Sequence, residues 1–401
     1  MIDFALDEIE EMLLDTCRML ASERLRPAYR VAEEAREVPA ELAAAVVELG
    51  LSTVTVPESA GGAGLDLVAR CLVEEELACG DVGIACAVPG PGAAGMALLE
   101  LGNEAQIEEH LAPFCGPEGS QRFGALAWAE SALPGDGRVF ATRAERTAAG
   151  WTITGEKAYV VNAGHADLFV VAAATGDGGW DDVALFVVPR DTPGLSLGER
   201  LDTVGLRAVD VRHLTLDACE VGETARLAGD LPATEGLLRL FARLSLVNAA
   251  RTLGCSRAAF EYALQYGQER TAFGKPIAHF QGIAFMLADM ATELDAGRWL
   301  LWRAARSFEG RDVCWRQHVA MAVVHVHETA YRCVDDALQL LGGHGFIQDH
   351  PPEKWMRDAR TLALIGSPTE VQREHLSNDL FGLSASPGDL LPGSDAPLTL
   401  T

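Results

Sequence analysis

Positive charge is scarce in this chain: 32 lysines and arginines face 58 aspartates and glutamates, for a formal net charge of −26. Repulsion of that size opposes encounter with polyanions, which excludes nucleic-acid and anionic-membrane partners. A ligand carrying phosphates therefore has to be held by isolated arginines and helix N-termini, whose effect is local. The basic start of a signal peptide is also missing, since the chain opens MIDFALDEIEEMLLDTC, and no uninterrupted apolar run is long enough to span a bilayer. A cytoplasmic protein is the expectation. The nine cysteines are odd in number and include no C-x-x-C pair, so neither a disulfide framework nor a zinc knuckle is expected, only reduced core thiols. Nor is a metal site expected at His325 and His327, which lie two apart in a helical stretch and point to different faces.

What remains is a chain of 401 residues, 49% hydrophobic and 22% charged. That is enough to bury a large core in about two or three domains. From Ile2 to about Phe114 apolar residues recur at helical spacing, as in Ile9, Leu13, Cys17 and Leu20, which predicts an all-α domain over 1–121. Over 122–231 the texture changes to short β-branched runs split by glycine turns. These are WTITG (Trp151 to Gly155), DLFVVAA (Asp167 to Ala173) and VALFVVP (Val183 to Pro189), and they predict a small β-domain. Helical periodicity returns over 232–383, clearest in Ile283, Met286, Leu287, Met290 and Leu294. The closing 384–401, rich in Pro, Gly, Ser and Asp, reads as a flexible tail. Helices, a small β-domain and helices again make an α+β order, without the strand–helix alternation of a nucleotide-binding parallel sheet.

That order decides the meaning of one motif. Gly90, Gly92 and Gly95 spell G-x-G-x-x-G, which marks a dinucleotide site when it follows a strand and opens a helix. Here it falls in a helical region with Pro91 in the turn, and it reads as a glycine-rich helix connection. More informative is QLLGGHGF, Gln339 to Phe346, where Gly342, Gly343 and Gly345 let the backbone approach a ligand and adopt positive φ, as a phosphate-binding turn requires. A second segment, ERTAFGKPIAHFQ from Glu269 to Gln281, sets Arg270 and Lys275 beside Phe273 ahead of a long amphipathic helix. By itself it is equally a helix–helix turn with solvated cations.

Together these segments resemble the acyl-CoA dehydrogenase family, and the resemblance covers nearly the whole chain. TVPESAGGAGLDLVARCLVEEELA, Thr55 to Ala78, is similar to that family's P-E-x-x-G-G-x-G helix-pair signature. GWTITGEKAYVVNAGHADLFVVAA resembles its middle domain, and the last third carries R-x-x-F-G-x-P-I-x-x-F-Q and Q-x-x-G-G-x-G-F. The resemblance implies an α-helical N-terminal domain, a β-barrel-like middle domain and a four-helix C-terminal bundle. It also implies a homodimer or homotetramer with FAD at a subunit interface. Arg270, Phe273 and Gln281 would contact FAD from one subunit, while Gln339, Gly342 and Gly343 would meet its ADP part from the neighbour. The implied substrate is an acyl thioester on coenzyme A or an acyl carrier protein, with electron-transfer flavoprotein or O2 as acceptor. The family's reaction removes an α-proton with a glutamate and passes the β-hydrogen as hydride to flavin N5. The α-C–H is a poor acid, so the base must be held against it and the thioester carbonyl hydrogen-bonded.

The chain departs from this pattern where the chemistry would occur. LIGSPTEVQR, Leu364 to Arg373, lines up with I-Y-E-G-T-x-E-I-Q-R, so Gly366 stands at the place of the usual glutamate. A minority of the family carries the base on the first helix of the last domain; that position is Leu244, and the arginine that usually follows it is Ser245. The T-E-P-x-x-G-S-D loop resembles AESALPGD, Ala129 to Asp136, with Ala129 replacing the threonine that faces the pyrimidine ring and Gly135 replacing the serine. In AYVVN, the usual W-I-T becomes Tyr159, Val160 and Val161, which removes the hydroxyl that would meet flavin N5. The ADP half of FAD is thus better provided for than the isoalloxazine half, where backbone contacts can remain. Among substitute bases, Glu130 and Glu370 hold places that serve structure, His344 lies toward the pyrophosphate, and Arg243 reads as a solvated or paired surface cation. A glutamate introduced at Gly366 is expected to restore proton abstraction.

Three readings follow. The leading one is an FAD-dependent oxidoreductase that desaturates the α,β bond of an acyl thioester. A second uses FAD with O2 as a monooxygenase or oxidase and needs no thioester base. The third is a non-catalytic homologue that pairs with an active partner, which the retained phosphate-contact residues argue against. Fold alone does not decide among them.

Overall fold

The computed structural model describes residues 6–116, 119, 121–131, 140–176, 179–366 and 368–383. Helix α1 (Glu8–Leu20) begins at a capping box in which Asp7 accepts the Glu10 N–H and Glu10 accepts that of Asp7. A π-turn, Ala21–Leu25, carries it into α2 (Arg26–Ala35). Cys17 and Leu20 of the expected apolar stripe are buried, whereas Ile9 faces outward. Next come α3 (Ala40–Glu48), α4 (Leu67–Cys86), α5 (Gly92–Leu101) and α6 (Glu104–Cys115). Helix α4 is buried along its whole length. It kinks at Asp81, whose extended backbone (φ −158°, ψ 123°) lets its carboxylate accept the Ile84 N–H. The glycines of the rejected fingerprint serve packing: a Cβ at Gly90 would meet that of Ser52 at 2.8 Å, and one at Gly92 the Gly124 carbonyl at 2.8 Å.

Strands β1 (Gly124–Ala127), β2 (Arg143–Arg146), β3 (Gly150–Val161), β4 (Leu168–Ala174), β5 (Val183–Pro189), β6 (Leu195–Arg200) and β7 (Val211–Gly222) form one sheet. Its order is β1-β4-β2-β3-β7-β6, with β5 also paired to β4. The three predicted runs are β3, β4 and β5. Trp151, Phe169, Phe186 and Leu214, from four strands, meet in one apolar cluster.

Helix α7 (Ala233–Glu269) is followed by a small hairpin, β8 (Thr271–Ala272) and β9 (Lys275–Pro276), then α8 (Gln281–Glu309), α9 (Trp315–Leu340), α10 (Pro352–Leu362) and α11 (Thr369–Phe381). Helices α8 and α9 run antiparallel, since Glu293 reaches His325 while Ser307 reaches His318. Helices α7 and α9 run parallel, with Thr252 on His327 and the Ser256 carbonyl on Cys333. Their C-terminal ends therefore share one end of the bundle, which brings the two glycine-bearing turns together. Helix α11 packs on α9 as the fourth helix, and α10 wedges Trp355 against α7. Lys354 of α10, fully buried, joins Asp81 of α4 (2.5 Å) to Asp358 (2.6 Å), and Asp358 also accepts the Leu206 N–H from the sheet region (2.6 Å).

Candidate cofactor and acyl-thioester site

At the end of α7, Arg270 leaves the helix with extended backbone and its carbonyl accepts the Ile277 N–H, which closes the hairpin turn. Phe273 at φ +50° and Gly274 at φ +81° make the tip, and the Phe273 ring is 97% exposed. Lys275 is occupied locally by the His279 carbonyl at 3.1 Å. Arg270 is exposed, and among the described residues no ion pair engages its guanidinium. Gln281, also exposed, opens α8.

At the end of α9, exposed Gln339 precedes the turn, and Gly342 takes φ +58°, a conformation that suits glycine. A Cβ at Gly342 or Gly343 would meet nothing within 4 Å, whereas one at Gly345 would collide with the Leu338 carbonyl at 2.4 Å. The first two glycines thus offer open backbone to a ligand, and the third is needed for packing. Tyr266, one turn before Arg270, holds His344 through its hydroxyl at 2.6 Å from Nδ1, so the two turns sit together in one chain and need not come from neighbouring subunits, as the resemblance had implied. A free arginine beside bare backbone fits a pyrophosphate.

The other expected contacts lie on the sheet, just after β1 and along β3. The Ala129 carbonyl accepts the Ala158 N–H at 2.8 Å, next to Tyr159, which adopts φ +56° and is 62% exposed. Val161 is half-buried two residues on, and Gly135 lies outside the described residues. Glu130 accepts the N–H groups of Ala141 and Thr142 and the Lys157 ammonium at 2.9 Å. Burial raises its carboxyl, but Lys157 and Thr142 prevail and hold it below the usual range. Lys157, nearly enclosed, is pushed down to about 8 by burial. Glu130 is therefore a clamp on its loop, with its acceptor positions filled.

Trp128 stands edge-on to Phe241 of α7 at 4.6 Å between ring centroids. Leu244 and Ser245 lie one turn further along the same face, and Asn248 one turn beyond. This face meets Gly366: a Cβ there would lie 3.1 Å from Asn248 Nδ2 and 3.9 Å from Ser245 Oγ. The two base positions of the sequence argument thus converge on one spot. Two expectations need correction. Arg243 is paired but not at the surface: it is buried with Nε 2.6 Å from Glu100 and stacks over Phe308. A glutamate at Gly366 is disfavoured, because the residue sits at φ +91° with Asn248 crowding the Cβ. Glu370 is exposed at the start of α11, and His327 is pushed down to about 4 by burial, facing away from His325.

Sequence reasoning missed Asn248, which donates to the Ile365 carbonyl at 3.1 Å and so fixes the loop that carries Gly366. Helical spacing from Leu244 could have found it. A cavity of about 710 Å³ between α1, α4, α7 and α8 is lined by paired ions such as Arg257 and Glu76 and by none of the candidate contacts.

These features coincide with known proteins. Models of the acyl-CoA dehydrogenase N-terminal, middle and C-terminal domains match residues 7–118, 125–219 and 238–381. Benzylmalonyl-CoA dehydrogenase of Aromatoleum aromaticum is 34% identical over 92% of this chain and 97% of its own length. The structure of butyryl-CoA dehydrogenase from Megasphaera elsdenii superimposes with a TM-score of 0.86 at 27% identity, covering 95% of this chain and 100% of that one. A glutaryl-CoA dehydrogenase of Mycobacterium smegmatis in complex with FADH2 gives 0.85 at 25% identity, covering 95% and 96%. With three domain models in order and relatives matched nearly end to end, the chain belongs to the acyl-CoA dehydrogenase family of FAD-dependent oxidoreductases.

Proposed function

We propose that this protein binds FAD and desaturates an acyl thioester, on coenzyme A or an acyl carrier protein, between its α and β carbons. The observation that carries the reading is the pairing of free, exposed Arg270 with the open backbone at Gly342 and Gly343. Arg270, Phe273 and Gln281 on one turn and Gln339, Gly342 and Gly343 on the other hold the ADP part. Ala129, Tyr159 and Val161 border the ring, Ala129 and Val161 through backbone and apolar surface where relatives use hydroxyls. FAD, when bound, accepts the β-hydrogen as hydride. The family resemblance supplies electron-transfer flavoprotein or O2 as the acceptor.

Removing the Arg270 guanidinium takes away a charge-assisted contact to phosphate, so Arg270→Ala is expected to weaken FAD binding by about 10- to 100-fold. Fluorescence titration of the apoprotein measures this. Unchanged affinity would reduce the hairpin to a helix connection and withdraw the reading.

Assembly follows from the same surface. Phe273 and Phe346, 97% and 92% exposed, flank the two turns, and Phe285 projects from α8. Such rings call for cover by a second copy. Sedimentation should give the mass of a dimer or tetramer, and a monomer that retains FAD would contradict a shared site.

A further inference from the structure

The structure carries the dehydrogenase reading one step further, to the class of acyl chain. Desaturation requires an electron pair to be freed on Cα. A base frees it from a C–H bond, but the spot where the two base positions converge holds Gly366 and Leu244. What faces Gly366 is neutral: Asn248 Nδ2 and the Ser245 hydroxyl. The cations on this stretch of α7 are already matched, Arg251 by Glu74 at 2.6 Å and Arg243 by Glu100 at 2.6 Å. Leu244 and Ile365 add apolar wall. Ser245 is 1% exposed, and its Oγ has no hydrogen-bond partner. A buried hydroxyl 3.9 Å from where a Cβ on Gly366 would lie, on the line where the family pattern places a carboxylate, lacks an acceptor that the substrate can bring.

We propose that the substrate is a 2-carboxyacyl thioester, a substituted malonyl half-thioester, whose own carboxylate lies beside Gly366 and accepts from Ser245 Oγ. The bond from Cα to the carboxylate carbon breaks, CO2 leaves, and the electron pair stays on Cα. That pair forms the Cα–Cβ π bond as the β-hydrogen departs with its own pair to the flavin. Substrate anion and oxidised flavin give enoyl thioester, CO2 and two-electron-reduced flavin, with no α-proton to remove. Neutral donors and apolar walls suit this step, because a low-dielectric pocket penalises the carboxylate and not CO2, whereas an arginine would hold the charge in place.

The test mixes FAD-loaded enzyme anaerobically with butyryl-, octanoyl- and 3-phenylpropionyl-CoA and with the 2-carboxy counterpart of each. For at least one pair the 2-carboxy member should bleach the flavin about 10²-fold faster or more, with one CO2 released per flavin. A readout without turnover compares malonyl-CoA with acetyl-CoA, neither of which has a β-hydrogen. Malonyl-CoA should bind about tenfold more tightly, and Ser245→Ala should abolish that advantage while leaving acetyl-CoA binding unchanged. Equal bleaching by the carboxyl-free members, bleaching without CO2, or no malonyl advantage would each overturn the inference. In the first case the dehydrogenase reading stands. If no thioester bleaches the flavin and enoyl-CoAs leave its spectrum unperturbed, both readings fall.

Discussion

Replacing Lys354 by methionine will lower the stability of the folded chain by about 3–5 kcal/mol. The ammonium is fully buried between Asp81 and Asp358, and Asp358 in turn fixes the Leu206 N–H, so one cation ties α4, the sheet region and α10 together. Burial opposes the charge on Lys354, yet the two aspartates hold its pKa above the ordinary lysine value. A raised lysine contributes fully below its unfolded value of about 10.4 and loses that contribution only as pH climbs through the folded one. The wild-type contribution is therefore intact at neutral pH. In Lys354→Met two facing carboxylates remain out of water with no counter-charge, so their protonation favours the fold, and the deficit should shrink on acidification. Denaturant midpoints at pH 7.5 and 5 measure this, and Lys354→Met/Asp81→Asn should recover part of the loss. An unshifted midpoint, or no recovery in the double variant, would show that the triad is dispensable.

Charge patterns of this kind were the part of the fold that sequence concealed. Glu74, Glu75 and Glu76 are consecutive acids, yet all three are buried. Glu74 meets Arg251 besides Arg70 one turn away, Glu75 meets Arg257 and Arg298, and Glu76 meets Arg257, so all but Arg70 lie far off in sequence. No local spacing encodes the distant pairings, because they exist only once α4 lies against α7 and α8. Apolar periodicity was more legible: Leu287, Met290 and Leu294 are buried on α8, and the β-branched runs became β3, β4 and β5. Strands β1 and β2, with four residues each, are too short to show a period.

In the site, the residues that show in sequence are those with unusual backbone needs. Gly342 and Phe273 both take positive φ at turns that expose them, and both sit within motifs dense in glycine and aromatics. Ser245 and Asn248 are ordinary helical residues, and they acquire meaning when the loop carrying Gly366 is laid across α7. Even the glycine at 366 reads differently in the fold. In sequence it is a missing carboxylate, but at φ +91° it is a backbone position that a glutamate would strain.

That strain directs the test of the missing base to Leu244, where helical backbone accepts any unbranched side chain. Wild-type enzyme should be reduced very slowly by saturated acyl-CoAs, because neither convergent position offers a carboxylate. Leu244→Glu places one on the α7 face, beside Ser245 and across from Gly366. Burial there raises a carboxyl toward the range in which it abstracts protons well. Anaerobic stopped-flow should show flavin reduction accelerated by about 10²-fold, the lower end of what a positioned base provides. The gain should grow with pH as the new carboxyl ionises, whereas Leu244→Gln, of the same shape, should show none. The same variant should handle 2-carboxyacyl thioesters worse than wild type, since two carboxylates would then compete for one neutral pocket. Rapid bleaching of wild-type flavin by a saturated acyl-CoA, or equal rates for the Glu and Gln variants, would place the base elsewhere in the fold.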